Sequence, residues 1–304
     1  MSVNMFKKMT YSLKYQKYMI PVSDEITNMV LSYVKRKTNG RPLDMAVDVG
    51  CGTGRYTLPL AAHFKKVLGL DISESQINVA KQMTLAKNVS YMVAPAEKLP
   101  LKDASVDLVQ AGLAAHWFIL DKFLDETVRV LKTRGCLAVH ALVPSSELEY
   151  KNLSEDLNVV MSEIWDTLMQ HGDKCEDEML SQYQNIFETI PLKDKERSGG
   201  FFCDTISSLC WVRFRLKSAS YKRSQYWTYK ITDIPVKIQL SIPEIIGFIQ
   251  SVVLFQKIKE KDEKRAEQFL TDTEKRFREV LGEEADSAQM SMNIKHYCVL
   301  ACKQ

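Results

Sequence analysis

The sequence predicts an α/β protein built on a doubly wound, mostly parallel sheet, and three observations carry that expectation. Met45, Ala46, Val47 and Val49 form an apolar run of strand length that breaks directly into Gly50, Gly52 and Gly54. A stretch from Tyr56 to about Phe64 reads as helix, completing a strand, glycine turn and helix unit. Val67-Leu-Gly-Leu-Asp71 reads as the next strand and ends on an acid 21 residues after Gly50, about the spacing at which a carboxylate meets ribose hydroxyls in this topology. The glycines open backbone angles closed to other residues and let a ligand approach the main chain. A helix start behind them offers unpaired N–H groups and the positive end of its dipole.

The remaining elements follow in order. Tyr11, Tyr15, Tyr18 and Met19 precede Pro21, after which Ser23 caps an amphipathic helix marked by Ile26, Met29, Val30 and Val34. Ser73 is placed to cap a helix running towards Lys87, and Val89–Val93 is the third strand. Val106–Ala111 is the fourth strand, and Gly112 to Phe118 follows it as a loop holding His116 and Trp117. Phe123, Leu124, Thr127, Val128 and Leu131 recur at helical spacing, with Gly135 as the expected C-cap. Cys136–Val143 is the fifth strand, and His140 within it is expected to be structural.

Residues 153–169 carry an apolar stripe of Leu157, Val160, Met161, Ile164, Trp165 and Leu168, which reads as core or as a pocket wall. A second short helix is expected over 182–190, stopped by Pro191. Cys210 to Lys230 contains Arg213, Arg215, Lys217, Lys222, Arg223 and Lys230, interleaved with aromatics and free of acids. If residues 212–216 are extended, Arg213 and Arg215 share a face and form a pair able to clamp a carboxylate or phosphate. If they are helical, the two splay apart; a solvated basic face is the ordinary alternative. Residues 226–231 alternate as strand six, 243–258 form a largely apolar helix, and 259–281 a charged surface helix. Residues 295–301 close the sheet, with His296 near the strand start and expected to be exposed.

Composition narrows the function classes. An apolar share of 45% over 304 residues is ordinary for a globular protein, and a net charge of +3 is slight for a protein that tracks phosphates. Seven cysteines with no C-x-x-C spacing point to reduced thiols in a cytoplasmic protein and to no metal site. The longest apolar run, 242–255, includes Glu244 and Gln250 and is too short and polar to span a bilayer.

Four segments together carry a resemblance: Asp48-Val-Gly-Cys-Gly-Thr-Gly54, Gly69-Leu-Asp-Ile-Ser73, Ala94-Pro-Ala-Glu-Lys-Leu-Pro100 and Val106-Asp-Leu-Val109. In this order, over roughly residues 44–143, they resemble class I S-adenosylmethionine-dependent methyltransferases. Ala114-Ala-His-Trp-Phe118 is similar to a subgroup that includes the yeast trans-aconitate methyltransferase. NAD-binding folds typically carry G-x-G-x-x-G instead. The resemblance implies a Rossmann-like seven-stranded, mostly parallel sheet with helices on both faces, a closing antiparallel strand and a helical substrate cap.

The implied organisation is an N-terminal lid and helix over 1–40, a cofactor-binding core over 41–143, a cap over 144–220, and the remaining core sheet over 221–304. The implied cofactor is S-adenosyl-L-methionine, held by Asp48, Gly50, Cys51, Gly52, Gly54, Asp71, Ile72 and Gln110. Relatives hold adenine with an acid-Ala pair after the third strand. Here Pro95 stands in the acid's place, which leaves the Ala96 backbone and, as a substitute, Glu97. His116 is the candidate general base, or else a group that positions its loop. Trp117 is a wall of the site or a core residue, and Tyr15 and Tyr18 with Arg213 and Arg215 are candidate substrate contacts. The expected function is methyl transfer to a small molecule, with a carboxylate favoured by the basic stretch. The alternatives are a tRNA methyltransferase and an inactive methyltransferase-like scaffold.

Overall fold

In the computed structural model, which describes residues 8–190, 211–212 and 229–303, eight strands form one sheet. They are β1 (Met45–Val49), β2 (Lys66–Asp71), β3 (Val89–Val93), β4 (Val106–Gly112), β5 (Leu131–Glu149), β6 (Trp211–Val212), β7 (Tyr229–Leu240) and β8 (Met290–Cys302). Their spatial order is β3-β2-β1-β4-β5-β8-β7-β6. The first five pair in parallel, and β8 runs antiparallel to both β5 and β7. The expected sheet of seven strands with an antiparallel closing member is present, and the two-residue β6 adds an edge beside β7.

Alternation along the strands explains the layers. Ala46, Leu108 and Ala138 face a cluster with Ile26, Val30 and Val34 of α2 (Asp24–Lys37). Their neighbours Val47, Val109 and Val139 face a second cluster with Phe123 and Leu124 of α4 (Leu120–Val130) and with Ile186 and Phe187 of α7 (Gln184–Thr189). Both faces of the central strands are therefore covered, which is why these strands read as continuous apolar runs.

A third cluster joins α5 (Ser154–Met169), α8 (Ile242–Ser251), α9 (Val253–Lys261) and α10 (Glu263–Leu281) to Leu148, Val236, Met290, Met292 and Ile294 of the sheet. Leu157, Val160, Met161, Ile164, Trp165 and Leu168 of α5 are buried as their stripe predicts. At the opposite end, buried Asp107 pins the sheet. Its Oδ2 accepts from the Asp44 and Met45 N–H groups and from Lys132 Nζ, and Arg41 lies 2.7 Å from its Oδ1.

Several local expectations are corrected. Residues 56–64 form turns and one 3-10 turn, Leu58–Leu60, instead of an α-helix, because Pro59 has no N–H to donate and the following bonds tighten to i−3. Gly135 does not cap α4, which ends at Val130 and leads straight into β5. It sits in a bulge between Leu131 and Cys136, where a Cβ would come within 2.9 Å of the carbonyl oxygens of Lys132 and Val106.

His296 is buried, not exposed, because β8 begins at Met290 and carries His296 into mid-strand against Tyr56. The helix expected over 243–258 divides at Val252, whose extended backbone separates α8 from α9. A helix α6 (Lys174–Leu180), closed by the Asp173–Glu176 capping box, was not anticipated from its weak apolar pattern. The helix after Ser73 is α3 (Glu74–Met83), with Ser73 accepting from Gln76 N–H as its cap.

Candidate active site

The C-terminal ends of β1, β2 and β4 meet at the glycine turn. Gly50, Gly52 and Gly54 have φ of +69°, +55° and +83°. A side chain at Gly50 would meet Ala114 Cβ at 2.5 Å, and one at Gly54 would fall on the Tyr91 hydroxyl. The turn is held open by Asp71, whose Oδ2 accepts from Gly52 N–H and whose Oδ1 accepts from Ser73 N–H, both at 2.8 Å. Burial raises the Asp71 pKa against the pull of those backbone donors. Asp48 lies beneath the turn and accepts from Thr57 Oγ1 at 2.6 Å, while its buried Oδ1 has no partner among the described residues. Burial lifts its pKa to about 7.

A cavity of about 290 Å³ opens in front of this turn. Gly50, Cys51, Gly52, Asp71 and Ile72 line one end, with Gln76 and the 94–97 loop beside them. The opposite wall is apolar, built from Leu142, Trp165, Phe248, Val252, Leu254 and Ile294. His116 and Trp117 lie between the two ends.

The roof is α1 (Met9–Tyr18), which contributes Tyr15, with Met19 just beyond it. Arg55, within the glycine turn, holds this roof. Its guanidinium donates to the carbonyls of Gln16, Met19 and Ile20 at 2.9, 2.9 and 2.7 Å. These are carbonyls a helix C-terminus leaves unpaired. Thr53 bonds the Gln16 side chain, Ser12 meets Ser75 at 3.1 Å, and Tyr11 donates to the Ser251 carbonyl at 2.9 Å. That last carbonyl sits where α8 breaks. Tyr18 points elsewhere and packs against Gly247.

His116 stands on a 3-10 turn after β4, and its Nδ1 lies 2.8 Å from the hydroxyl of Tyr183. Burial, aided by the Lys257 charge, lowers the His116 pKa to about 3, so the imidazole is neutral at physiological pH. Tyr183 is fully buried and holds a left-handed backbone, φ 57°. Glu176 on the cavity wall is engaged by Lys257 Nζ at 3.0 and 2.9 Å. Two further buried histidines lie below Tyr56. His296 Nε2 meets the Tyr56 hydroxyl at 3.2 Å, and His140 packs edge-on to the Tyr56 ring at 4.7 Å.

Of the residues singled out from sequence, Gly50, Cys51, Gly52, Asp71, Ile72, Ala96, Glu97, Tyr15, His116 and Trp117 line the cavity. Asp48, Gly54 and Gln110 stand behind it. Gln110 donates to the Tyr56 carbonyl at 3.2 Å, so it supports the turn. Glu97 accepts from Ile119 N–H at 2.8 Å. Arg213 and Arg215 lie outside the described residues. Trp165 lines the cavity from the α5 stripe that reads as core or as a pocket wall. Sequence reasoning missed Arg55, Gln76, Phe248, Glu176 and Tyr183, of which Arg55 carried a local signal, as a cation inside the glycine turn.

Donor chemistry in the cavity suits a nucleoside-bearing cofactor. The glycine backbone can be closely approached, Asp71 faces the space, and the buried Gln76 Oε1 has no partner among the described residues. The sheet order, with an antiparallel strand wedged between β5 and β7, together with this turn is the arrangement that the resemblance to class I methyltransferases implies. Residues 47–139 match the methyltransferase domain family.

Among sequence relatives, a Dictyostelium discoideum protein named "putative methyltransferase" is 37% identical over 128 residues, 42% of this chain and 46% of that protein. A Saccharomyces cerevisiae protein named as a probable S-adenosylmethionine-dependent methyltransferase is 32% identical over 124 residues, 39% of this chain and 42% of its own length. The chain thus spans less than half the length of either relative. A solved structure from Anaeromyxobacter dehalogenans, titled a putative type II methyltransferase, superposes with a TM-score of 0.60 at 19% identity. It covers 90% of this chain and 95% of its own, and so shares the fold.

Proposed function

We propose that the protein is an S-adenosylmethionine-dependent methyltransferase acting on a small, largely apolar molecule in the cytoplasm. The observation that carries this reading is the roofed cavity running from the glycine turn and Asp71 to an apolar wall. When bound there, S-adenosylmethionine supplies a methyl group on positively charged sulfur. The chain's own residues do the rest by position. Asp71 would hold ribose hydroxyls with its remaining lone pairs, Gly50 and Gly52 would admit the methionyl part, and Ile72, 64% exposed at the cavity edge, would hold the adenine with Ala96. The α1 roof and the Trp165–Phe248 wall exclude water. Desolvation favours transfer because charge on sulfur disappears as the new bond forms.

A cavity of about 290 Å³ under a helix supports a small-molecule acceptor over a folded RNA. The carboxylate clamp expected of Arg213 and Arg215 lies outside the described residues.

Calorimetric titration with S-adenosylmethionine and S-adenosylhomocysteine tests the reading. Binding of both, weakened at least tenfold by Asp71→Ala, is expected, followed by turnover in a labelled-methyl screen of small carboxylates, amines and alcohols. No binding at millimolar ligand overturns it in favour of a scaffold. Methylation of tRNA but of no small molecule overturns the acceptor class.

A further inference from the structure

We propose that His116 acts as a hydrogen-bond donor to the methyl acceptor, through an Nε2–H fixed by Tyr183, and that the acceptor is a carboxylate. The inference rests on the methyltransferase reading and deepens it. Its basis is a count of hydrogens. Tyr183 is fully buried, and its hydroxyl meets His116 Nδ1 at 2.8 Å with the His116 backbone N–H on its oxygen. A backbone N–H can only donate, so the phenol's own hydrogen is left for Nδ1, since a buried O–H left without an acceptor is costly. Nδ1 then accepts, so the one hydrogen of the neutral ring sits on Nε2. With Nδ1 engaged, Nε2 is the atom His116 offers to the cavity it lines.

The backbone supports the same reading. Tyr183 is held at φ 57°, a conformation uncommon for an aromatic residue, and strain of this kind concentrates at functional sites. Its ring is clamped edge-on by Tyr297 at 5.1 Å, which leaves the hydroxyl little room to turn away from His116.

An imidazole whose outward nitrogen carries hydrogen cannot take a proton from the acceptor, so the acceptor it suits best is one with no proton to lose. A carboxylate meets that condition and has two oxygens. One accepts from Nε2–H, and the other attacks. A lone pair of the second oxygen forms the O–CH3 bond while the CH3–S bond breaks with its pair going to sulfur. Carboxylate and sulfonium charges cancel, a neutral ester and thioether remain, and no proton moves. Asp71 and Glu97 line the cofactor end of the cavity, and Glu176 is the acid on the wall beyond them. Both oxygens of Glu176 are held by Lys257, and one also accepts from Asp173 N–H, so Glu176 is not an open partner for an ammonium group.

The tautomer is read directly by two-dimensional proton–nitrogen spectroscopy of the full chain labelled with nitrogen-15 histidine. His116→Gln assigns its signals among the five histidines. A protonated Nε2 and unprotonated Nδ1 are expected with S-adenosylhomocysteine bound, and a protonated Nδ1 overturns the proposal. The activity test uses whichever acceptor the labelled-methyl screen identifies. Gln keeps an N–H donor but cannot serve as a base, so His116→Gln should stay within about tenfold of the wild-type kcat, and His116→Leu should lose about 10- to 100-fold. Equal loss in both variants, or turnover of amines and alcohols alone, overturns the donor role. Because folding and cofactor binding are followed by S-adenosylhomocysteine calorimetry in each variant, failure of the methyltransferase reading stays distinguishable from failure of this one.

Discussion

Arg55→Ala should release the roof of the cavity without dismantling the sheet. In the native structure the guanidinium donates to the carbonyls of Gln16, Met19 and Ile20, the last turn of α1 and the two residues beyond it. A hydrogen bond from a charged donor contributes about 1.5–3 kcal/mol net, and three sharing one partly exposed guanidinium are not additive, so their sum is on the order of 3 kcal/mol. Other anchors survive, namely Ser12–Ser75, Tyr11–Ser251 and the packing of Tyr18 on Gly247. The variant should therefore fold but spend about 100-fold more time with α1 detached. Backbone hydrogen exchange over residues 9–20 should rise by about that factor, while exchange in β1 and β4 stays slow. Binding of S-adenosylhomocysteine should weaken by about 10- to 100-fold. Arg55→Lys, which supplies one compact cation for three carbonyls, should fall between the two. Unchanged exchange over 9–20 in Arg55→Ala would refute the latch.

Three other outcomes follow from the same geometry. Gly54→Ala places a side chain at φ +83° and onto the Tyr91 hydroxyl, so it should cost about 2 kcal/mol or more in denaturant melts, with Tyr91→Phe recovering part of the loss. Asp48 has a folded pKa of about 7 against an ordinary 3.8, so the folded state binds its proton more tightly, and stability is lost as pH rises from 4 through 7. That loss is on the order of 4 kcal/mol, and Asp48→Asn, which can still accept from Thr57, should flatten the dependence of the melting temperature on pH across that window. The buried histidines act oppositely. Folded pKa values of about 3, 3 and 4 for His116, His140 and His296 lie below the ordinary 6.5, so their contribution is intact above pH 6.5 and is lost as pH falls towards 4. His140 has neither nitrogen bonded among the described residues, so His140→Leu should leave neutral-pH stability nearly unchanged and reduce the acid loss.

What the sequence made legible was the half of the site that lies close together along the chain. The glycine turn, Asp71 and the loop after β4 are each written locally, because backbone angles, strand ends and caps demand particular residues at fixed offsets. The acceptor half was not legible. Trp165, Phe248 and Ile294 come from α5, α8 and β8; the Trp165 stripe reads as core or as a pocket wall, and Phe248 and Ile294 carry no signal of their own until the sheet brings all three to one wall. Tyr183 had no signal at all, since its pairing with His116 spans 67 residues and depends on a left-handed backbone that its sequence does not announce. The misplacement of His296 had the same origin: alternation located the strand but not where it began, and five residues of additional strand turned an expected exposed end into a buried position against Tyr56.

The break between α8 and α9 shows why roof and wall must move together. At Val252 the chain leaves helical geometry, and the Ser251 carbonyl is taken by Tyr11 of α1 at 2.9 Å. The residues that follow the break, Val252 to Leu254, line the cavity. Lifting α1 therefore leaves that carbonyl unpaired and unlocks the segment carrying the acceptor wall, so cofactor cover and acceptor wall are tied by one hydrogen bond at one side and by Arg55 at the other. Arg55→Ala should therefore raise backbone hydrogen exchange at residues 252–254 together with residues 9–20, and unchanged exchange at 252–254 would show that the wall does not follow the roof.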